Sequence, residues 1–189
     1  MSKKIFIDCG AHNGCSVRKF RKIKSDSAEY SIHSFEPNKE MFLRLAKEEN
    51  INLYNCAVST NDGQMNYYVH DNDSYACTTF KQKGEMINCG SPKKGKVYKN
   101  TVEAINLSLF INKNFDLDDY IILKLDVEGE EYNIIPHLLK NETFKFINEL
   151  WIEWHSRWIE NSENLDKEYE QEIKKYGTTI DNTWDAAGF

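Results

Sequence analysis

The chain has 189 residues, enough for one domain with a substantial core and too few for two full domains. Its 40% hydrophobic and 29% charged residues are typical of a globular protein and exclude a disordered one. The net charge of -6 argues against DNA or RNA as the main substrate, because nucleic-acid binders neutralise phosphates with a basic surface.

The sequence indicates neither a membrane segment nor a secretion signal. No apolar run approaches the roughly 20 residues that cross a bilayer. The first apolar stretch, 5–7, is far shorter than the about 7–15 residues of a signal peptide. The five cysteines include no CxxC pair, so we expect reduced thiols rather than disulfides or structural zinc. We therefore expect a cytoplasmic protein that does not bind membranes.

Strands and helices alternate along the first half of the chain. The pattern predicts a strand over 5–7 ending at Asp8, a tight turn over 10–14, a helix over 16–24, a strand over 31–35, a helix beginning after Pro37, and strands over 51–58 and 65–69. A long polar segment, 71–96, follows. We predict a loop there. Its lysines, from Lys81 to Lys99, could form a lid or contact an anionic acceptor, or the loop could simply be solvated.

The second half continues the alternation. We predict an extended segment over 97–105, a short helix over 107–112, a strand over 120–125, a helix over 130–139, a strand over 147–153 and a helix over 163–176. Such alternation predicts an α/β fold: a doubly wound, mainly parallel sheet flanked by helices, in one domain spanning 1–189.

Four acids lie at or just after the ends of predicted strands: Asp8, Glu36, Asp126 and Glu153. The carboxyl ends of parallel strands meet at one edge of a sheet, which is where ligands bind. The sequence therefore predicts an acidic ligand site at this edge.

The turn after the first strand favours a cationic nucleoside ligand. A dinucleotide fold has GxGxxG, whereas this chain has Asp8 followed by glycines at 10 and 14, a DxGxxxG pattern. The acid would repel a pyrophosphate but suits S-adenosylmethionine, which carries an ammonium and a sulfonium. The alternative is a plain strand–helix turn.

Two later segments could bind the rest of such a ligand. Glu36 could accept hydrogen bonds from two ribose hydroxyls. Residues 55–58 could face adenine, although a core strand has the same pattern.

Charged residues close the strand over 120–125. Lys124 and Asp126 share one side of the alternating pattern. Buried charge is costly unless it is paired, so the pair needs a reason. We predict that Asp126 is a general base or orients the acceptor hydroxyl; the alternative is a salt-bridged strand end.

His155 has three open interpretations. It could accept a proton near neutral pH, bind a divalent metal together with Asp126 and Glu153, or be structural. We favour no metal in this site. Three nearby tryptophans could form an acceptor platform or pack in the core and at its rim: Trp151, Trp154 and Trp158.

These motifs together resemble the FkbM family of methyltransferases, over roughly residues 4–155. The matching stretches are Phe6 to Gly14, Phe35 to Asn38, Asn55 to Ser59, Leu123 to Glu131 and Trp151 to His155. The predicted cofactor-binding residues are Asp8, Gly10, His12, Asn13, Gly14, Glu36, Pro37, Asn55, Cys56 and Ala57. The predicted catalytic residues are Lys124, Asp126 and His155.

The resemblance implies a Rossmann-like class I methyltransferase fold. It implies S-adenosylmethionine as donor, S-adenosylhomocysteine as product, and a hydroxyl of a sugar, glycan or related small molecule as acceptor. Little chain follows the last predicted helix, so we expect shortened C-terminal strands, which a homodimer could complete. The alternative function is a non-catalytic cofactor-binding or scaffold module of a glycan-modifying system.

Overall fold

The structure is a computed structural model that describes residues 2–70, 73–78, 97–156 and 164–184. Strands β1 to β10 are, in chain order, Lys4–Cys9, Tyr30–Phe35, Asn52–Tyr54, Ala57–Ser59, Gly63–His70, Asp73–Thr78, Val97–Asn106, Tyr120–Leu125, Ile147–Ile152 and Thr179–Asp181. Helices α1 to α5 are Cys15–Ile23, Lys39–Leu45, Leu107–Asn114, Glu131–Lys140 and Leu165–Lys174. Short 3-10 helices cover Ser27–Glu29 and Thr143–Phe146. None of the described helices has both the length and the apolar character needed to cross a membrane.

Six strands form the main sheet, in the order β3-β2-β1-β8-β9-β10, and every neighbouring pair is parallel. Alternate side chains of a strand point to opposite faces. Ile5 and Ile7 therefore join one core, with residues of α3, α4 and α5. Phe6 joins a second core on the other face, with Val17 and Phe20 of α1. Helices thus cover both faces, and the predicted doubly wound α/β fold is confirmed.

The segment 51–58, predicted as one strand, is two strands in different sheets. β3 is an edge strand of the main sheet. β4 is an edge strand of a second, four-stranded sheet, whose strand order is β4-β7-β5-β6. The chain turns between them at Asn55, whose side-chain amide donates to the carbonyl oxygens of Glu36 at 2.8 Å and Pro37 at 3.3 Å. The side chain of Asn55 therefore bonds to the loop after β2, and the run is interrupted there.

The prediction of a continuous loop over 71–96 was wrong in part. β6 lies inside that segment and pairs antiparallel with β5. The segment as a whole is rich in Gly, Ser, Asn and Lys, so the short run Asp73–Thr78 within it was not recognised as a strand. Residues 71–72 and 79–96 lie outside the described residues, and with them the lysines proposed as a lid or anionic contact, except Lys99, which lies in β7.

The C-terminal strand is short, as predicted. β10 has three residues and pairs with β9 in parallel. The helix before it begins at Leu165 and places buried Ile173 in the core on the α3 and α4 side.

Candidate functional site

The four predicted acids do lie at one edge of the main sheet. Asp8 is the next-to-last residue of β1, and Glu36, Asp126 and Glu153 directly follow β2, β8 and β9. These strands are parallel and adjacent, so their carboxyl ends share that edge. The predicted acidic edge is confirmed.

The turn over residues 10–14, here called the β1 turn, is fixed by the strands beside it. The backbone N–H groups of Gly10 and Ala11 donate to the carbonyl oxygen of Phe35, at 3.1 and 3.0 Å. Gly10 has φ +79°, and a Cβ there would lie 1.9 Å from the carbonyl oxygen of Asp126. Gly10 is therefore required by the close approach of the chain after β8, not only by the approach of a ligand that the sequence suggested.

Asn13 and Gly14 shape the far end of the β1 turn. The Oδ1 atom of Asn13 accepts the backbone N–H of Cys15 at 3.2 Å, where α1 begins. Gly14 has φ +90°, and a Cβ there would lie 2.8 Å from Cγ of Glu48. Both residues hold the turn; their direct contact with a cofactor stays a prediction.

Glu36 is held between the β1 turn and the start of α2. Its Oε2 atom accepts the backbone N–H of His12 at 2.8 Å, and its Oε1 atom accepts that of Asn38 at 2.7 Å. The residue is 6% exposed. Burial raises the pKa of Glu36 from 4.5 to about 7, and the two N–H donors offset this only in part. The carboxylate is thus oriented beside the turn and titrates near neutrality.

The raised pKa of Glu36 links it to stability. Its protonated form contributes stability that is complete below pH 4.5, the ordinary value, and is lost as the pH rises through about 7. The fold therefore holds the ionised carboxylate, the form that accepts two hydroxyl donors, at a cost in folding free energy. Residues that reduce stability in this way are concentrated at binding sites.

A groove of about 430 Å³ is lined in part by the residues that directly follow Glu36 in the chain. It runs from Pro37 and Asn38 at the start of α2 to Tyr67 and Thr101 in the second sheet. Of the residues predicted to face adenine, Asn55 is exposed, whereas Cys56 and Ala57 are 8% and 5% exposed and pack in or against the core. The adenine contact stays a prediction.

Lys124 lies under the β1 turn and joins two of the acids. Its Nζ atom is 3.4 Å from Oδ1 of Asp8 and 3.3 Å from Oδ2 of Asp126. It also donates to the carbonyl oxygens of Cys9 at 3.2 Å and Gly10 at 2.7 Å. Burial lowers the pKa of Lys124, but the two carboxylates raise it more, so that the net shift is upward. The ammonium is therefore charged and its donors are used within the fold.

Asp8 has no exposed surface. Its Oδ2 atom accepts the hydroxyl of Ser16 at 2.6 Å. Burial raises the pKa of Asp8, and Lys124 and Ser16 offset part of that rise. Asp8 and Lys124 are thus enclosed beneath the β1 turn, and the cofactor-binding role predicted for Asp8 and the catalytic role predicted for Lys124 stay predictions.

His155 is buried, at 2% exposure, just after β9. Its Nδ1 atom lies 3.0 Å from Oε1 of Glu131. Glu131 is fully buried and also accepts the backbone N–H groups of Val127 at 2.7 Å and Gly129 at 2.8 Å. Because the carboxylate accepts, Nδ1 donates, and a neutral imidazole then keeps its lone pair on Nε2. The sequence analysis missed Glu131, because its position at a helix start gave no sign of a partner 24 residues away.

The Nε2 atom of His155 faces an acidic cluster. Asp126, Glu128 and His155 each offer a ligand atom, and these atoms lie within 4.8 Å of one another. Oε2 of Glu128 is 3.5 Å from Nε2, and Oε1 of Glu153 is 3.7 Å from it. The predicted metal set had Glu153 and lacked Glu128. Glu128 was not predicted, because β8 ends at Leu125 and the alternation of side chains along a strand does not extend to residue 128.

The tryptophans examined as an acceptor platform pack inside the fold. Trp151 is 5% exposed and stacks on Trp184, with ring centroids 4.8 Å apart. Trp154 packs against the rings of Tyr132 and Tyr169. The packing interpretation is confirmed for these two, and Trp158 lies outside the described residues.

Comparison with known proteins agrees with this geometry. The Methyltransferase FkbM domain family matches residues 8–180, from the end of β1 to β10. No curated protein and no solved structure gives a significant match to the chain. The matched range contains the β1 turn, Glu36, the Lys124 pair and the His155 cluster. The chain therefore belongs to the FkbM methyltransferase family.

Proposed function

We propose that this methyltransferase uses S-adenosylmethionine to methylate a hydroxyl group of a sugar, glycan or related small molecule. The observation that carries the proposal is the Glu36 carboxylate, oriented by two backbone N–H groups beside the β1 turn. Acid at the carboxyl ends of β1, β2 and β8 suits a ligand with an ammonium and a sulfonium. The Lys124 ammonium lies between two carboxylates, so the edge is poorly suited to a pyrophosphate.

The described residues divide into a cofactor side and an acceptor side. S-adenosylmethionine, when bound, supplies an electrophilic methyl group and leaves as S-adenosylhomocysteine. Glu36 would accept the ribose hydroxyls, and the backbone of the β1 turn would line the amino-acid part. Asp126, with its side chain 24% exposed and fixed by Lys124, would contact the acceptor hydroxyl. Holding the reacting groups in line can supply about 7–11 kcal/mol of the barrier reduction.

Changing Glu36 to Gln tests the cofactor side. An amide cannot accept both the His12 and the Asn38 N–H groups and also two ribose hydroxyls. Losing a charged hydrogen-bond acceptor costs about 1.5–3 kcal/mol, so we expect S-adenosylmethionine to bind roughly 10- to 150-fold more weakly in calorimetric titration at pH 8. In the unchanged protein, affinity should rise as the pH increases through about 7, where Glu36 ionises.

Glu29→Gln is the matched control. Glu29 precedes the opposite end of β2 and pairs with Lys4 on the surface. We expect this variant to bind S-adenosylmethionine as the unchanged protein does. Equal affinity in the Glu36→Gln variant, or no binding by the folded parent protein, would contradict the proposed cofactor site.

Changing Asp126 to Asn tests the acceptor side. We expect turnover to fall about 100- to 10,000-fold, the range for losing a group that assists proton transfer, while S-adenosylmethionine affinity changes little. Formation of S-adenosylhomocysteine with a panel of methyl glycosides is the measurement. Asp118→Asn, an exposed acid near the start of β8, is the control. Full activity of the Asp126→Asn variant would show that this residue is not the acceptor-side acid.

A further inference from the structure

His155 is oriented as metal-binding histidines are. Metal ligands of this type donate one ring N–H to a carboxylate and keep the other nitrogen for the ion. Here Nδ1 is held by the buried carboxylate of Glu131, and Nε2 points into the cluster of Asp126 and Glu128. The nearest carboxylate oxygens are 3.5 and 3.7 Å from Nε2, longer than a normal hydrogen bond. The His155 residue is only 2% exposed, and its Nε2 atom faces carboxylate oxygens. Such a nitrogen is suited to coordinate an ion.

The buried carboxylate of Glu131 also fixes the loop that carries Glu128. Glu128 has φ +58°, a left-handed conformation that non-glycine residues adopt at a cost in free energy. Glu131 fixes this segment by accepting the N–H groups of Val127 and Gly129, the two neighbours of Glu128. The same buried carboxylate therefore orients both His155 and the loop that carries Glu128.

The donor set identifies the class of ion. One imidazole nitrogen and carboxylate oxygens within 4.8 Å of one another suit a small divalent cation such as Mn²⁺ or Mg²⁺. Soft thiolate ligands are absent from this cluster. The Lys124 ammonium, 3.3 Å from Oδ2 of Asp126, offsets part of the negative charge of this cluster, and a bound dication would interact favourably with its carboxylates.

We propose that Asp126, Glu128 and His155 form a divalent-cation site on the acceptor side of the sheet edge, with Glu153 beside it. The inference rests on the proposed function, because the ion's open coordination positions would take the acceptor hydroxyl. The ion would promote ionisation of that hydroxyl, and His155 would act as a ligand rather than as the proton acceptor. The acceptor class is then a molecule that offers a hydroxyl to a metal, such as a sugar diol.

The test measures Mn²⁺ binding directly, without acceptor and without turnover. The six-line electron paramagnetic resonance signal of free Mn²⁺ is titrated with the full chain, and Mg²⁺ is added in competition. Glu128→Gly removes the carboxylate and places a glycine where the backbone is left-handed, so we expect the variant to fold, and urea unfolding of the same sample checks this. Glu142→Gly is a matched control: Glu142 also has positive φ, +54°, and is exposed at the end of α4.

We expect saturable Mn²⁺ binding to the parent protein and to the Glu142→Gly variant. The Glu128→Gly variant should bind at least about tenfold more weakly, since even outer-shell changes lower metal affinity by about 10- to 100-fold. Unsaturable binding in the parent protein, or equal binding in both variants, would overturn the metal site. Calorimetric binding of S-adenosylmethionine is measured on the same samples. If the parent protein binds S-adenosylmethionine but not Mn²⁺, only the proposed metal site is rejected. If the folded parent protein does not bind S-adenosylmethionine, the proposed function is rejected.

Discussion

Alanine at position 10 is expected to destabilise the fold by about 3–5 kcal/mol, combining left-handed strain with an overlap that the backbone must relieve. The new Cβ would lie 1.9 Å from the carbonyl oxygen of Asp126. The turn cannot move away from that oxygen without breaking the hydrogen bonds from Gly10 and Ala11 to the carbonyl oxygen of Phe35. A loss of this size is a large fraction of the free energy of unfolding of a typical domain, which is roughly 5–15 kcal/mol. Urea unfolding measures it.

Gly177→Ala separates the two contributions to that loss. Gly177 has φ +83°, nearly the +79° of Gly10, and a Cβ there would meet nothing within 4 Å. This variant should lose only the strain, about 1–2 kcal/mol. If both variants unfolded at the same urea concentration, the contact between the β1 turn and the end of β8 would not be what requires glycine.

Replacing Lys124 with methionine is expected to cost about 3–5 kcal/mol, the usual penalty for removing one partner of a buried ion pair. Asp8 would be left fully buried without the ammonium 3.4 Å from its Oδ1 atom. The free energy of unfolding, again from urea, is the measurement. Adding Asp8→Asn should restore part of the loss, because the second change removes the stranded charge.

A surface pair gives the comparison for Lys124. Lys145 and Glu142 form an ion pair at 3.2 Å with exposed side chains. Lys145→Met should cost only about 0–1 kcal/mol. A similar small effect for Lys124→Met, or a double variant no more stable than Lys124→Met alone, would contradict the role of this lysine as the counter-charge of Asp8.

The sequence predicted the main sheet well because its strands are buried and apolar. Five of its six strands overlap predicted strands, their alternation with helices indicated the class of fold, and four of them end beside an acid at the same edge. The predicted strand boundaries were wrong where they depend on contacts between residues distant in sequence. The break at Asn55 depends on carbonyls 18 and 19 residues away, and no local pattern reports them.

Within the site, residue types were easier to predict than their partners. Asp8, Glu36, Asp126 and His155 stand out as polar residues at strand ends. The contact of Lys124 with Asp8 follows from the register of β1 with β8. The contact of Glu131 with His155 follows from the path of the chain after β8. Such relations are three-dimensional, so single-sequence reasoning could name the charges without their pairing.

The Lys124 contacts under the β1 turn also determine when the site can exist during folding. They join residues 114 and 115 positions apart in the chain, to Gly10 and Cys9. Closing so long a loop is slow compared with forming local contacts. A partly synthesised or partly folded chain has the first turn but lacks the strand that supports it. A ligand at this edge therefore selects the completed fold, and by mass action it would protect the whole sheet from unfolding.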